Sequence, residues 1–155
     1  MIVRVNQDNI DEYENFIKKH PKGLFQHSSK WAKVKSAWKF EAVMLKDENG
    51  EIKGSASVLI RSIPVIKNSL MYCCRGFVCD ENDFDTFDKL FNALLELGKE
   101  YKAYCIKIDP EIVIQNEAYK KHLIEKGFIE LNPGCMDFEN VQPRFVYCFD
   151  YNGMN

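Results

Sequence analysis

Trp31-Ala-Lys-Val-Lys35-Ser-Ala-Trp38 sets lysines among tryptophans. At about 100° per residue of helix, Trp31, Val34 and Trp38 share one face, and Lys35 lies at its edge. An ammonium fixed at a pocket rim suits a phosphate as a compact point charge. The plainer reading is a lysine whose stem covers apolar surface while its head reaches water. Lys33 points away, to solvent. In Tyr104-Cys-Ile-Lys-Ile-Asp109-Pro110, strand parity puts Tyr104, Ile106 and Ile108 on one face and Cys105 and Lys107 on the other. Asp109 then stands at the carboxyl end of a strand, where α/β sheets place ligands. Asp-Pro can equally just open a turn. Tyr72-Cys-Cys-Arg75-Gly76-Phe-Val78 has a glycine inside a strand-like run, the mark of a bulge or a close backbone approach. Arg75 beside it can bind a phosphate or pair with a carboxylate. Finally, Gln142-Pro143-Arg144 leads into an apolar run ending at Asp150. Pro143 suits a strand start, and Arg144 either faces a cleft or caps a sheet edge.

These groups need elements to hold them. Ile2–Val5 reads as a short strand. Asn9–Lys19 reads as a helix, with Ile10, Tyr13, Phe16 and Ile17 at helical spacing and Asn9 as its cap. His20-Pro21 and Gly23 end it. Ser28 and Ser29 can cap a second helix running to Trp38. Strands follow at Glu41–Lys46 and Ile52–Ser62, joined by a turn at Asp47-Glu-Asn-Gly50. Ser69–Val78 is a further strand, interrupted at Arg75-Gly76. Asp83–Tyr101 is the clearest helix, with an apolar stripe of Phe84, Phe87, Phe91, Leu94 and Leu95 and acids in its first turns. Tyr104–Ile108 is a strand, Asn116–Lys126 a helix ended by Gly127, and Phe128–Leu131 and Arg144–Asp150 the last strands. The order predicts a mixed α/β sandwich in one domain.

The tryptophan-lysine helix, Arg75-Gly76, Asp109-Pro110 and Gln142-Pro-Arg144, in that order, resemble motifs of the Fem family of bacterial peptidyltransferases, which add amino acids to the stem peptide of peptidoglycan precursors. The resemblance spans essentially the whole chain. It implies an acetyltransferase-like (GNAT-like) fold. It implies transfer of an amino acid from aminoacyl-tRNA to an amine of the precursor, with no metal or bound cofactor. It carries Lys35 over as a contact to the precursor's diphosphate, and Tyr104 and Asp109 as substrate-binding residues. Asp109 is not assigned as a base, because that role needs a suitable pKa and reach. The family usually has Pro-Arg-Gly-Pro where this chain has Cys74-Arg75-Gly76-Phe77, so Arg75 is a weak member of the set. The family's chain continues into a second domain. This one ends at Asn155, so the expectation is the precursor-binding half, inactive alone, with aminoacyl-tRNA engaged through the other half. The precursor would be nucleotide-linked (UDP-MurNAc-peptide) or lipid-linked. A cytoplasmic protein, or one peripheral to the inner membrane face, is implied.

Composition is compatible with this. The 155 residues are 46% hydrophobic and 28% charged, with 21 basic and 23 acidic side chains and a net charge of −2. Any polyanion contact must therefore come from a local patch. No apolar run approaches the ~20 residues of a membrane span. The six cysteines (73, 74, 79, 105, 135 and 148) form no Cys-x-x-Cys pair. They read as small buried hydrophobes in a reducing compartment. Two alternatives stand. One is a stand-alone precursor- or protein-binding module, onto which a second domain could dock. The other is an acetyl-CoA-dependent N-acetyltransferase, but no Gly-rich pyrophosphate turn precedes a helix here, and acidic residues follow Phe77.

Overall fold

In Ala42-Val-Met-Leu45 every side chain is apolar, so a strand there must bury both faces. The computed structural model, which describes residues 1–65, 67–113 and 115–131, meets that requirement with a layer on each side. The expected strand at Arg144–Asp150, the Gln142-Pro-Arg144 motif, Cys135 and Cys148 lie outside the described residues.

The chain forms β1 (Ile2–Arg4), α1 (Ile10–Lys19), a 3-10 turn (Phe25–His27), α2 (Ser29–Val34), β2 (Lys39–Lys46), β3 (Ile52–Ile63), β4 (Asn68–Cys73), α3 (Phe84–Glu100), β5 (Ala103–Ile108) and α4 (Glu117–Glu125). The five strands lie in sequence order. β1 to β4 are antiparallel, and β5 joins β4 in parallel. Val43 and Leu45 pack with Val58, Ile60, Met71 and the α3 stripe of Phe87, Leu90, Phe91 and Leu94. Ala42 and Met44 pack on the other face with Tyr13 and Ile17 of α1. Full burial of a side chain such as Phe87 or Leu90 contributes roughly 1.5–3 kcal/mol. At Gly54 of β3, an added Cβ would lie 2.8 Å from the Thr86 methyl and 3.0 Å from Cys79 Cβ, so glycine is what lets α3 start this close to the sheet.

Three helix starts are capped as their residue types require. Ser28 accepts from the Lys30 amide, Asp83 from Thr86 and Asn116 from Tyr119. Asn9 is not a cap. Its Oδ1 accepts from the Asn6 amide and its Nδ2 donates to the Arg4 carbonyl, so it closes the loop before α1 instead. α2 is shorter than expected. It ends at Val34, and the chain turns through Lys35-Ser-Ala-Trp38 into β2, where Lys39 already pairs with Ile60. Trp38 is therefore not on the α2 face, and packs beneath the Arg61 guanidinium. Phe128–Leu131 is not a strand among the described residues, since its residue types favour extension but no neighbouring ladder takes up its backbone groups. Cys73, Cys74 and Cys79 are buried as expected, whereas Cys105 is exposed.

Candidate functional site

Parallel pairing of β4 and β5 sets Tyr72 beside Lys107 and Cys73 beside Ile108, so both strands deliver their carboxyl ends to one place. Beyond Cys73 the chain does not continue the β3–β4 ladder. Val78 exchanges both backbone bonds with Ser55, two residues later than the ladder's register requires. The surplus is thrown out as a bulge at Arg75-Gly76, with positive φ of 60° and 78°. Glycine suits the second position twice over, because a Cβ there would also sit 3.0 Å from Pro110.

Asp109 holds this bulge. Its Oδ1 accepts from the Arg75 amide at 2.8 Å and its Oδ2 from the Tyr72 hydroxyl at 3.0 Å. Burial pushes the Asp109 carboxyl above the usual aspartate range, against those two donors and the positive charges of Arg75 and Lys107. Tyr72 also reaches the Cys74 thiol, which burial pushes up and which Arg75 and Lys35 pull down electrostatically. That influence brings the Lys35 charge to the same strand end, although Lys35 itself is exposed and lies over the Trp31 ring, 5.2 Å from its centroid.

Two further supports gave no signal in the sequence. His27 is fully buried behind the bulge. Its Nδ1 accepts from the Leu24 amide at 3.0 Å, so the proton is on Nε2, and the backbone of Gly76 and Cys74 lies near the ring. Burial lowers its pKa to about 4, and the ring is neutral. Tyr13 of α1 donates to the His27 carbonyl at 2.6 Å. The second support is Lys22, which donates to Glu81 and to the Glu111 carbonyl and so ties down the loop after Pro110. α1 also places α2, through Glu14, whose carboxylate accepts from the Ser28 and Ser29 hydroxyls and the Ser29 amide.

Arg75 and Asp109 thus come together, the Lys35 charge reaches only as far as the neighbouring Cys74, and Tyr104 does not join them. It is the second residue of β5, about 16 Å down the strand from Asp109 at ~3.3 Å per residue. The β4–β5 register slips between Ser69 and Leu70, which pair with Ala103 and Cys105. Tyr104 falls in that slip and turns outward, 56% exposed, while Ala103, Ile106 and Ile108 pack on the core. It lines a broad open groove of about 1310 Å³ with α3 residues such as Leu95. The groove is roomier than the strand end, but the positive-φ backbone, the half-buried carboxylate and the convergent cations are all at Asp109. With both oxygens committed to Tyr72 and the Arg75 amide, Asp109 serves to hold the bulge, and the neighbouring Arg75 and Lys107 charges are the groups there that an anionic ligand could meet. Among the described residues no cluster of His, Cys, Asp and Glu could hold a metal ion, and no helix is long and apolar enough to cross a membrane.

The model of the FemAB family matches residues 9–132. A lipid II:glycine glycyltransferase of Staphylococcus epidermidis is 37% identical over 120 residues, covering 76% of this chain and 29% of that protein. One of Staphylococcus haemolyticus is 37% identical over 146 residues, covering 87% and 33%. The chain therefore spans about a third of the length of these relatives. Among solved structures, FemX superposes with a TM-score of 0.70 at 29% identity, over 81% of this chain and 31% of FemX. An aminoglycoside acetyltransferase from an uncultured soil sample superposes at 0.64 and 16% identity, over 97% and 95%. The latter likeness establishes the acetyltransferase-like fold and nothing more.

Proposed function

Since the chain belongs to the FemAB family, we propose that it is the precursor-binding part of an aminoacyltransferase that builds peptidoglycan bridges. The observation that supports this reading is the Arg75-Gly76 bulge held by Asp109 at the carboxyl end of β4 and β5, with the Lys35 charge acting on the adjacent Cys74. Relatives named lipid II:glycine glycyltransferase support aminoacyl transfer to a peptidoglycan precursor, and the proposed donor is an aminoacyl-tRNA. An amine of the stem peptide attacks the ester carbonyl of an aminoacyl-tRNA. A C–N bond forms, the C–O bond to the tRNA ribose breaks, and the amine gives up a proton. Lys35 and Arg75 hold the precursor's phosphates, and Asp109 fixes the bulge that presents Arg75. Tyr104 takes part only if the ligand extends along β5. The tRNA is engaged by a second part of the enzyme, which corresponds to the remaining length of the relatives. A lipid-linked precursor would bring the protein to the membrane surface.

The acetyl-CoA reading is disfavoured by α3. Its first-turn amide at Thr86 is taken by the Asp83 carboxylate, and Asp85 follows, so negative charge stands where a pyrophosphate would bind. The test of the proposed function is precursor affinity in Lys35→Ala. Losing one charge-assisted phosphate contact weakens binding by about tenfold. Unchanged affinity would remove Lys35 from the site.

A further inference from the structure

From Asn15 to Phe40 the chain has seven lysines and no Asp or Glu, in a protein whose net charge is −2. The acids that reach this segment from outside are already engaged. Glu14 is held by Ser28 and Ser29, Glu41 by Arg4, Tyr101 and Lys39, and Glu81 by Lys22. Glu14, bonded there only to neutral donors, keeps its charge at the start of α2, and Lys30, Lys33 and Lys35 outnumber it, so the local field at α2 is net positive.

α2 focuses that field around exposed apolar groups. Ala32 is its buried position. Opposite it, at ~100° per residue, lie Lys30 and Val34, flanked by Lys33 and Trp31. Val34 is 68% exposed and Phe25, edge-on to Trp31 at 5.0 Å between centroids, is 62% exposed. An apolar triad of Phe25, Trp31 and Val34 is thus ringed by Lys30, Lys33 and Lys35.

We propose that this face of α2, with Phe25, is a docking surface for an anionic lipid bilayer. Aromatic side chains settle at the bilayer interface, and each lysine near an anionic leaflet adds to the attraction. Lys35 caps the end of α2, so a bilayer seated here would meet the lysine proposed to hold the precursor's phosphates. The inference rests on the precursor-binding reading and selects the lipid-linked acceptor within it.

The test is flotation of the 155-residue protein with vesicles that contain no precursor. One set is phosphatidylcholine alone, and the other carries about 30% phosphatidylglycerol. The protein is expected to float with the anionic set only, and less so as salt rises from about 0.1 to 0.5 M. A fourfold variant (Phe25→Ser, Val34→Ser, Lys30→Gln, Lys33→Gln) is expected to lose at least about tenfold in partition at an unchanged melting temperature. In Trp38→Phe, where Trp31 is the remaining tryptophan, brominated lipid should quench the fluorescence. No flotation of the unaltered protein, or equal flotation of the variant, would overturn the proposal. So would loss of tRNA binding in the variant without any vesicle binding, which would make the face a nucleic-acid surface. Because Lys35 is intact, affinity of the variant for a soluble nucleotide-linked precursor should not change. A fall there would assign the face to the precursor site instead of a membrane, whereas failure of flotation alone leaves the precursor reading standing.

Discussion

Asp109 is the residue on which the site turns, and its role follows from its partners. One oxygen fixes the Arg75 amide and the other the Tyr72 hydroxyl, so its first task is to hold a bulge with two consecutive positive φ angles. Gly76→Ala should therefore be costly. It combines left-handed backbone strain with a 3.0 Å approach to Pro110, and should lower unfolding stability by roughly 1–3 kcal/mol in urea titration. His27 makes a second prediction. Burial holds its folded pKa at about 4, below its usual 6.5, so between those values the unfolded chain binds more protons. Stability is lost as pH falls from about 6.5 toward 4, by up to about 3 kcal/mol. Denaturation at a series of pH values should show this slope, and His27→Gln should flatten it. Arg75-Gly76 and Asp109-Pro110 were both legible in the sequence as backbone-shaping pairs. Their contact was not, because it spans 34 residues and depends on the parallel β4–β5 register. Tyr72 was hidden for the same reason. His27 was hidden because a lone histidine in a loop carries no spacing.

At the level of elements, periodicity located the four described α-helices but neither the 3-10 turn at Phe25–His27 nor every helix end. α3 was clear because its stripe and its Asp83 cap agree. α2 was overextended because Trp31, Val34 and Trp38 fit helical spacing, while the pairing of Lys39 with Ile60 draws the chain straight four residues earlier. Tyr104 was misplaced by parity, since a one-residue slip in register turns a side chain to another face. α4 is held to α3 through Asp88, whose Oδ1 meets His122 Nε2 at 2.7 Å and whose Oδ2 accepts from Lys126. Burial would raise the Asp88 pKa, but those two partners outweigh it and hold it low. Phe84 stacks on the His122 ring. Asp88→Asn should cost about 1 kcal/mol or less, because the cluster is partly exposed. Hydrogen exchange should quicken in α4 and leave α1 unchanged, and uniform quickening would mean that the cluster braces the whole fold.

Among the described residues, one sheet of five strands carries α1 on one face and α3 on the other, and the Arg75-Asp109 site stands at its β4–β5 end. The mixed α/β class was readable because the periods alternate cleanly between two and 3.6. Family membership was readable from four short motifs, three of which fall among the described residues. In a chain about a third the length of its relatives, the proposed function gives this site the acceptor alone and assigns no group here to the acyl donor. The expected outcome for the 155-residue chain with aminoacyl-tRNA and precursor is no turnover. Product formation above background, read by mass spectrometry, would refute the division of labour.

The most direct test of the central claim is an NMR titration of this chain with a soluble nucleotide-linked precursor. Amide shifts are predicted at Lys35, Arg75, Gly76 and Asp109, and they should weaken in Lys35→Ala. Shifts confined to Tyr104, Cys105 and the α3 groove, with the β4–β5 end silent, would contradict it.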